Sequence, residues 1–373
     1  MTEQQASKAV HVPTGLNLKT RFFSATAGAW RRLSALESAV LRDEIERIEI
    51  DRPIYVTGVP RAGTTITTEI LERHPDVTSH RYSDFPNVYT PYWRNWLAEK
   101  SGRKSGEFVE RSHGDRIMVT SESPEAVEEV IWMQFFGHLH DAGNDQVLDE
   151  HTNHAGFESF YRDHIRKLLA IRGASRYLAK GNYNITRLRY LLKIFPNARF
   201  AVVVRHPVNH VASLLKQDLR FQEASREDSR VPGQLASSGH FEFGPHQRAI
   251  NTGNARAAAA IEHAWSAGER TEGWARYWAS AYRYLLDRIE ADKALQEAVT
   301  IVHYERLCRK PEQTIRDLLE HCRLDPASFE PVIEEYSGRI SPPTYYQPDF
   351  NEEESMRLLD ICGPVARRLG YEQ

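Results

Sequence analysis

Two glycines, an arginine and a pair of threonines crowd into "VTGVPRAGTT" (residues 56–65). Gly58 and Gly63 are separated by four residues, and Thr64 and Thr65 follow at once. That is the glycine spacing of a phosphate-binding loop. The glycines let the backbone curl around an anion, and the helix that follows points its first N–H groups at it. The lysine that would reach the outer phosphates of a nucleoside triphosphate is missing: Thr64 stands in its place, and Arg61 lies inside the loop. A guanidinium is a fork-shaped cation that grips two oxygens at once. The residues therefore suit an anion chain shorter than a triphosphate. A plain strand-to-helix turn would also use the two glycines.

A second group lies in "RFAVVVRHPVNHVASLLKQ" (199–217). Arg205 ends a β-rich run, and Ser213 falls about two turns into the helix that Pro207 opens. Ligands of open α/β sheets bind outside the carboxyl ends of the strands. An arginine and a serine converging there suit one isolated phosphate. Alone, the pair reads equally well as a capping arginine and a solvent-facing serine. Taken with the loop, it describes a ligand with a 5′-phosphate-type group and a second, separate phosphate. That is the layout of the sulfuryl donor 3′-phosphoadenosine-5′-phosphosulfate.

These residues need a scaffold, and its pattern is visible. "PIYVTG" (53–58), "RYLAKGN" (176–182), "RFAVVVRHP" (199–207) and "AVTIVHYERL" (298–307) read as strands. Helices are expected over 64–74, 157–172, 187–195, 274–292 and 311–324, and from Pro207 onward. Another is expected over 123–136, with Ser123 as N-cap and Pro124 at its first position. One or two amphipathic helices are expected within 17–48. Strands alternating with helices predict an α/β fold: a mostly parallel sheet with helices on both faces. Residues 1–15 read as a disordered lead and 16–373 as a single domain. Residues 220–262 read as a large insertion, partly loop, and 91–175 and 218–265 as the acceptor-side segments.

Composition excludes several classes. A net charge of −3 gives no global pull toward nucleic acid. No apolar run approaches the roughly 20 residues that span a bilayer. Three cysteines without a CxxC pair fit a reducing cytoplasm and argue against a zinc site. The histidines of "HLHD" (138–141) and "HTNH" (151–154) do not share a helix face, so a polar surface or acceptor pocket is expected there rather than a metal. The stretch 92–116 interleaves Trp93 and Trp96 with Arg94, Lys100, Arg103 and Lys104, and reads as a lid over the acceptor site.

The chain resembles the P-loop-like sulfotransferases, in their bacterial and tyrosylprotein-sulfotransferase-like branch. "GVPRAGTT" with "ILERHPDV" is similar to that branch's 5′-phosphosulfate loop, and "FPNARFAVVVRHPVNHVASLL" to its 3′-phosphate segment. "VHYERL" with "PEQTIRDLLEHCRL", and "PVARRLGY", resemble its later elements. The resemblance implies that Arg61, Ala62, Gly63, Thr64 and Thr65 hold the 5′-phosphosulfate, and that Arg205 and Ser213 hold the 3′-phosphate. It also places Tyr304 near the nucleotide, Arg339 and Ser341 in a loop that closes over it, and Lys180 at the catalytic-lysine position. Gly181 and Asn182 follow that lysine, where the family has a small polar or acidic residue and proline.

Sulfuryl transfer should follow phosphoryl transfer: in-line attack, a loose transition state, and catalysis mostly by positioning and charge. Arg61 and Lys180 would offset charge on the leaving phosphate, with no metal required. The acceptor hydroxyl needs a base, and Asp84 of "HRYSDFP" is the preferred candidate, since a carboxylate accepts a proton near neutrality. His80 is next, and Glu125 or Glu128 remains open. The expected product is adenosine 3′,5′-bisphosphate; the acceptor is a sugar, lipid, aryl or small natural-product hydroxyl. The 218–265 segment is expected either to select it or to mediate a homodimer. A nucleoside or sugar kinase, or a non-catalytic nucleotide-binding protein on the same fold, is the alternative.

Overall fold

In the computed structural model, which describes residues 12–101, 109–110, 118–342 and 349–372, the β-rich runs become strands that stop where the chemistry-bearing residues begin. They are β1 (Ile54–Thr57), β2 (Val77–Ser79), β5 (Arg176–Lys180), β6 (Arg199–Val204) and β7 (Val299–His303); β3 (Val109–Glu110) and β4 (Met118–Val119) form a separate antiparallel pair. The main sheet has the order β2-β5-β1-β6-β7, and every neighbouring pair is parallel. Side chains alternate between its faces. Tyr55, Phe200, Val202 and Val204 join one core cluster, while Ile54, Val56, Ala201 and Val203 join the other.

Helices α1 (Thr14–Ala25), α2 (Ala27–Val40) and α3 (Arg42–Ile45) precede β1, and α4 (Thr64–Glu72) follows it. Between β2 and β5 come α5 (Pro91–Lys100), α6 (Glu129–Phe135) and α7 (Ala155–Arg172). His154 caps α7, its Nδ1 accepting from the Phe157 N–H at 3.1 Å. α8 (Leu188–Ile194) leads into β6, and α9 (Pro207–Glu227) leaves it. α10 (Val231–Ser237), α11 (Ala255–Ser266), α12 (Arg270–Ala291) and α13 (Lys293–Ala298) lead to β7. α14 (Tyr304–Arg309), α15 (Pro311–Cys322), α16 (Glu330–Arg339) and α17 (Glu352–Arg368) complete the chain. Among the described residues, no helix is long and apolar enough to cross a membrane.

One face of the sheet is covered by Ile70 and Leu71 of α4, Ile315 and Leu318 of α15 and Ile333 of α16. The other is covered by Ile165 and Leu168 of α7, Leu191 of α8, Val211 and Leu214 of α9, and Trp278 and Leu285 of α12. Each such large apolar side chain, once fully buried, contributes about 1.5–3 kcal/mol. The N-terminal helices are tied on by charge. Lys167 Nζ of α7 meets Glu37 Oε2 of α2 at 3.0 Å, with both side chains fully buried, and Glu37 also accepts the Trp93 N–H of α5 at 2.7 Å.

Three expectations shift. Helix α1 starts at Thr14, inside the expected lead, whose residues 1–11 lie outside the described ones. Helix α9 runs on to Glu227, because Asp218 is buried against Arg270 and the Trp274 indole N–H (3.2 Å), and Phe221 stacks on Phe243 at 5.9 Å. Helix α6 begins at Glu129, not Ser123. The stretch before it pairs with 80–83 instead: Tyr82 N donates to Ser123 O at 3.0 Å, and Glu125 N to His80 O at 2.9 Å. Of the expected lid, 91–100 is helix, while Arg103 and Lys104 lie outside the described residues.

Candidate active site

The strand register puts the 58–65 loop, Lys180, Arg205 and Tyr304 on one edge. Val56 is level with Lys180, Thr57 with Val202, and Val204 with His303. All four features therefore leave the sheet at its carboxyl end, where open α/β sheets bind ligands.

The loop is tight and held from below. Gly58 has φ +147°, and a Cβ there would collide with the Val203 carbonyl oxygen. Gly63 has φ +110°, and a Cβ there would lie 2.5 Å from Tyr304 Cδ2. Tyr282 of α12 accepts the Val59 N–H at 3.2 Å and donates to Val203 O at 2.9 Å, clamping loop to strand. His210 of α9 sits under Pro60. Its Nδ1 accepts from Trp278 Nε1 at 3.0 Å, so its proton is on Nε2, 2.7 Å from Pro60 O. Burial pulls this imidazole down to about 3, so it is neutral in use.

The two groups of residues expected to hold phosphates meet. Arg61 Nε donates to Ser213 Oγ, and Arg205 Nη1 to Arg61 O, each at 3.4 Å. The Arg205 guanidinium lies 5.1 Å from the Tyr304 ring centroid. Arg61, Gly63, Arg205, Ser213 and Tyr304 thus form one continuous cluster. Arg339 sits farther round, donating to Glu69 Oε1 of α4 at 2.9 Å, where it joins α16 to the loop helix. Ser341, two residues on, is exposed, and residues 343–348 of its loop lie outside the described ones.

On the other side of the helix start, Lys180 Nζ reaches Thr65 Oγ1 and Glu125 Oε1, each at 3.3 Å. Glu125 arrives there through the backbone pairing of 121–125 with 80–83. Sequence reasoning held this residue only as one of an acidic group. Its signal was Pro124, which marks a β-bridge to Arg81 instead of a helix start.

Asp84 and His80 are placed elsewhere. Asp84 is 1% exposed. It accepts from Arg172 Nη2 at 2.9 and 3.0 Å, from the Arg81 N–H at 2.8 Å, and from Arg94. His80 Nδ1 is 3.1 Å from Asp84, and its Nε2 is 2.9 Å from His164 Nε2. Burial would raise the Asp84 carboxyl, but His80, Arg172 and Arg94 outweigh it and hold it well below the usual carboxylate range. A carboxylate so stabilised as the anion, and enclosed, is poorly suited to take a substrate proton. The physical reason is long range: Arg94 and Arg172 come from α5 and α7.

The remaining acids divide the same way. Glu128 is buried among the Tyr161 hydroxyl (2.8 Å) and Tyr177, and burial raises its carboxyl. Glu129 is gripped by Arg187 (2.8 Å twice) and His140 (2.7 Å), which overcome burial and bring it to about 2. Of the histidines expected at a polar surface or acceptor pocket, His140 pairs with Glu129 and His154 caps α7.

The chain is similar to known proteins at two levels. In structure, the chain is similar to the sulfotransferase STF9 from Mycobacterium avium, at 15% identity and TM-score 0.54, over 90% of this chain and 82% of that one. It is also similar to the sulfotransferase STF1 from Mycobacterium tuberculosis H37Rv, at 15% identity and TM-score 0.50, over 92% and 85%. At such identity the likeness speaks for the fold. Among curated proteins, none matches the chain. In sequence, residues 53–243 match the family model described as "Sulfotransferase family". That span is slightly over half the chain, and it runs from β1 through the phosphate loop, Lys180, Arg205 and Ser213 to Phe243. The chain belongs to the sulfotransferase family.

Proposed function

We propose that the protein transfers a sulfuryl group from 3′-phosphoadenosine-5′-phosphosulfate to a hydroxyl group of a small acceptor. One observation carries this reading: a tight loop without a Walker lysine has an Arg–Ser–Arg–Tyr cluster on one side and a Lys180–Glu125 pair at Thr65 on the other. Ala62 to Thr65, at the start of α4, would receive the 5′-phosphosulfate on backbone N–H groups and hydroxyls. Arg205 and Ser213 would take the 3′-phosphate. The donor supplies an activated sulfur whose leaving group is a phosphate oxygen.

Lys180 stabilises the charge that builds on that oxygen as the bond to sulfur breaks, and Arg61 shares the task. Glu125 keeps Lys180 aimed at the helix start. Asp84 has no place in the proton transfer in this reading; it holds α5, α7 and the 79–84 turn together.

The test is incubation with radiolabelled donor and a panel of sugar, lipid and aryl alcohols. Label should move to an acceptor as adenosine 3′,5′-bisphosphate appears. Lys180→Ala should slow that transfer by about 100-fold. Absence of transfer to every acceptor would overturn the assignment.

A further inference from the structure

The segment after α10 folds back beside the turn that follows Lys180 and carries a histidine there. Gly239, at φ +78°, has no room for a Cβ, which would lie 2.7 Å from Glu129 Cβ and Cγ. Phe241 stacks on His140 with centroids 4.3 Å apart, and its N–H donates to the Tyr183 hydroxyl at 3.0 Å. His240 thus lies between a close approach of Gly239 to Glu129 and a hydrogen bond from Phe241 to Tyr183, three residues after Lys180. The His240 side chain is about one-third exposed, at 33%, while Glu242 beside it is 4% exposed.

The pair is built as an oriented imidazole. His240 Nδ1 lies 3.4 Å from Glu242 Oε2. Glu242 Oε1 accepts from Asn182 Nδ2 at 2.9 Å, which fixes the carboxylate to the turn after Lys180. Glu242 Oε2 is buried, and the His240 ring is the ion-pair group that faces it. An Nδ1 facing a buried carboxylate leaves Nε2 as the basic nitrogen. Glu125 and Lys180 lie close enough for their charges to act on this ring.

We propose that His240 is the general base that takes the proton of the acceptor hydroxyl, and that Glu242 is its positioning residue. The assignment rests on the sulfuryl-transfer reading. The acceptor oxygen forms a bond to sulfur while the bond between sulfur and the 5′-phosphate oxygen breaks. The electron pair leaves on that phosphate oxygen, and the hydroxyl proton passes to His240 Nε2. The imidazolium then releases its proton to solvent through its exposed side. Glu125, committed to Lys180, is not needed for the proton.

The electrostatics give this base a signature. Burial pulls the His240 imidazole down, but the facing Glu242 carboxylate, with a further push from Glu125, outweighs both burial and Lys180 and leaves it above its ordinary 6.5. Only the neutral ring can accept a proton. Turnover should therefore fall as pH drops through a value above 6.5, and removing the Glu242 charge should move that limb to lower pH.

The experiment uses the full chain, radiolabelled donor, and a pool of methyl glucoside, octanol and 2-naphthol, with water as background acceptor. Adenosine 3′,5′-bisphosphate binding is followed in parallel by calorimetry. His240→Gln should lower turnover about 100-fold while bisphosphate affinity stays within about two-fold. Glu242→Gln should slow the reaction less and shift the acid limb downward, and free imidazole should partly restore His240→Ala. If wild type transfers no label to any acceptor, whether or not it binds the bisphosphate, the sulfuryl-transfer reading and the base assignment fall together. If wild type transfers, but His240→Gln keeps its rate or Glu242→Gln keeps the acid limb, the base assignment alone is overturned.

Discussion

Gly58 gives the loop its approach to β6, and its cost is easy to measure. A methyl group there meets a backbone oxygen, which cannot swing aside, and φ +147° is itself strained for any other residue. Gly58→Ala should destabilise the protein by at least about 1–3 kcal/mol and weaken nucleotide binding; urea unfolding and calorimetry measure both. The role of this glycine was legible in the sequence, because a strand followed by two spaced glycines and a helix has few other uses. The position of Arg205 was legible for a similar reason: a charge at the end of an apolar strand emerges at the sheet's carboxyl edge. Asp84 was not. A carboxylate's ability to accept a proton near neutrality made it look catalytic, whereas its partners Arg94 and Arg172 are distant in sequence. Asp84→Asn should cost about 3–5 kcal/mol, since it leaves buried cations unpaired. Thermal or urea unfolding detects this. Wild-type stability with lost turnover would return Asp84 to the chemistry.

At the scale of elements, periodicity located α4, α7, α8, α12 and α15 to within a few residues, because each buries one apolar stripe. It failed where tertiary pairing outweighed local signals. Ser123 and Pro124 look like a helix start but serve a bridge to Arg81, and this is what carries Glu125 to Lys180. The return of 239–242 to the site left no periodic trace, so His240 was invisible beyond membership of a small-residue insertion. The join between α2 and α7 is likewise non-local. Burial raises the Glu37 carboxyl and lowers the Lys167 ammonium, so each charge depends on the other. Lys167→Met alone should cost about 3–5 kcal/mol, and adding Glu37→Leu should recover most of it. A double-mutant cycle in urea reads this directly. Additive losses would mean that the pair contributes no coupling.

Across the whole molecule, the same neutral and ionised groups set the response to pH. His210 has a folded value of about 3 against an ordinary 6.5, so the unfolded chain takes up its proton first as pH falls. Its contribution is present above 6.5 and is lost progressively toward about 3. Wild type should therefore lose urea stability more steeply across this window than His210→Gln; equal slopes would refute the neutral, loop-supporting role. The parallel sheet was foreseeable from alternating strands and helices. Its strand order was not, since order depends on crossovers that no local pattern encodes. That order brings the loop, Lys180, Arg205 and Tyr304 to one edge, and under the proposed function this edge selects the nucleotide. Calorimetry of wild type and Arg205→Ala with adenosine 3′,5′-bisphosphate, 5′-AMP and ATP–Mg²⁺ is the most direct test. The bisphosphate should bind wild type far more tightly than either competitor, and Arg205→Ala should weaken it by about 30-fold or more (about 2 kcal/mol). Tighter binding of ATP–Mg²⁺, or a bisphosphate affinity indifferent to Arg205, would contradict the assignment of this site to a sulfuryl donor.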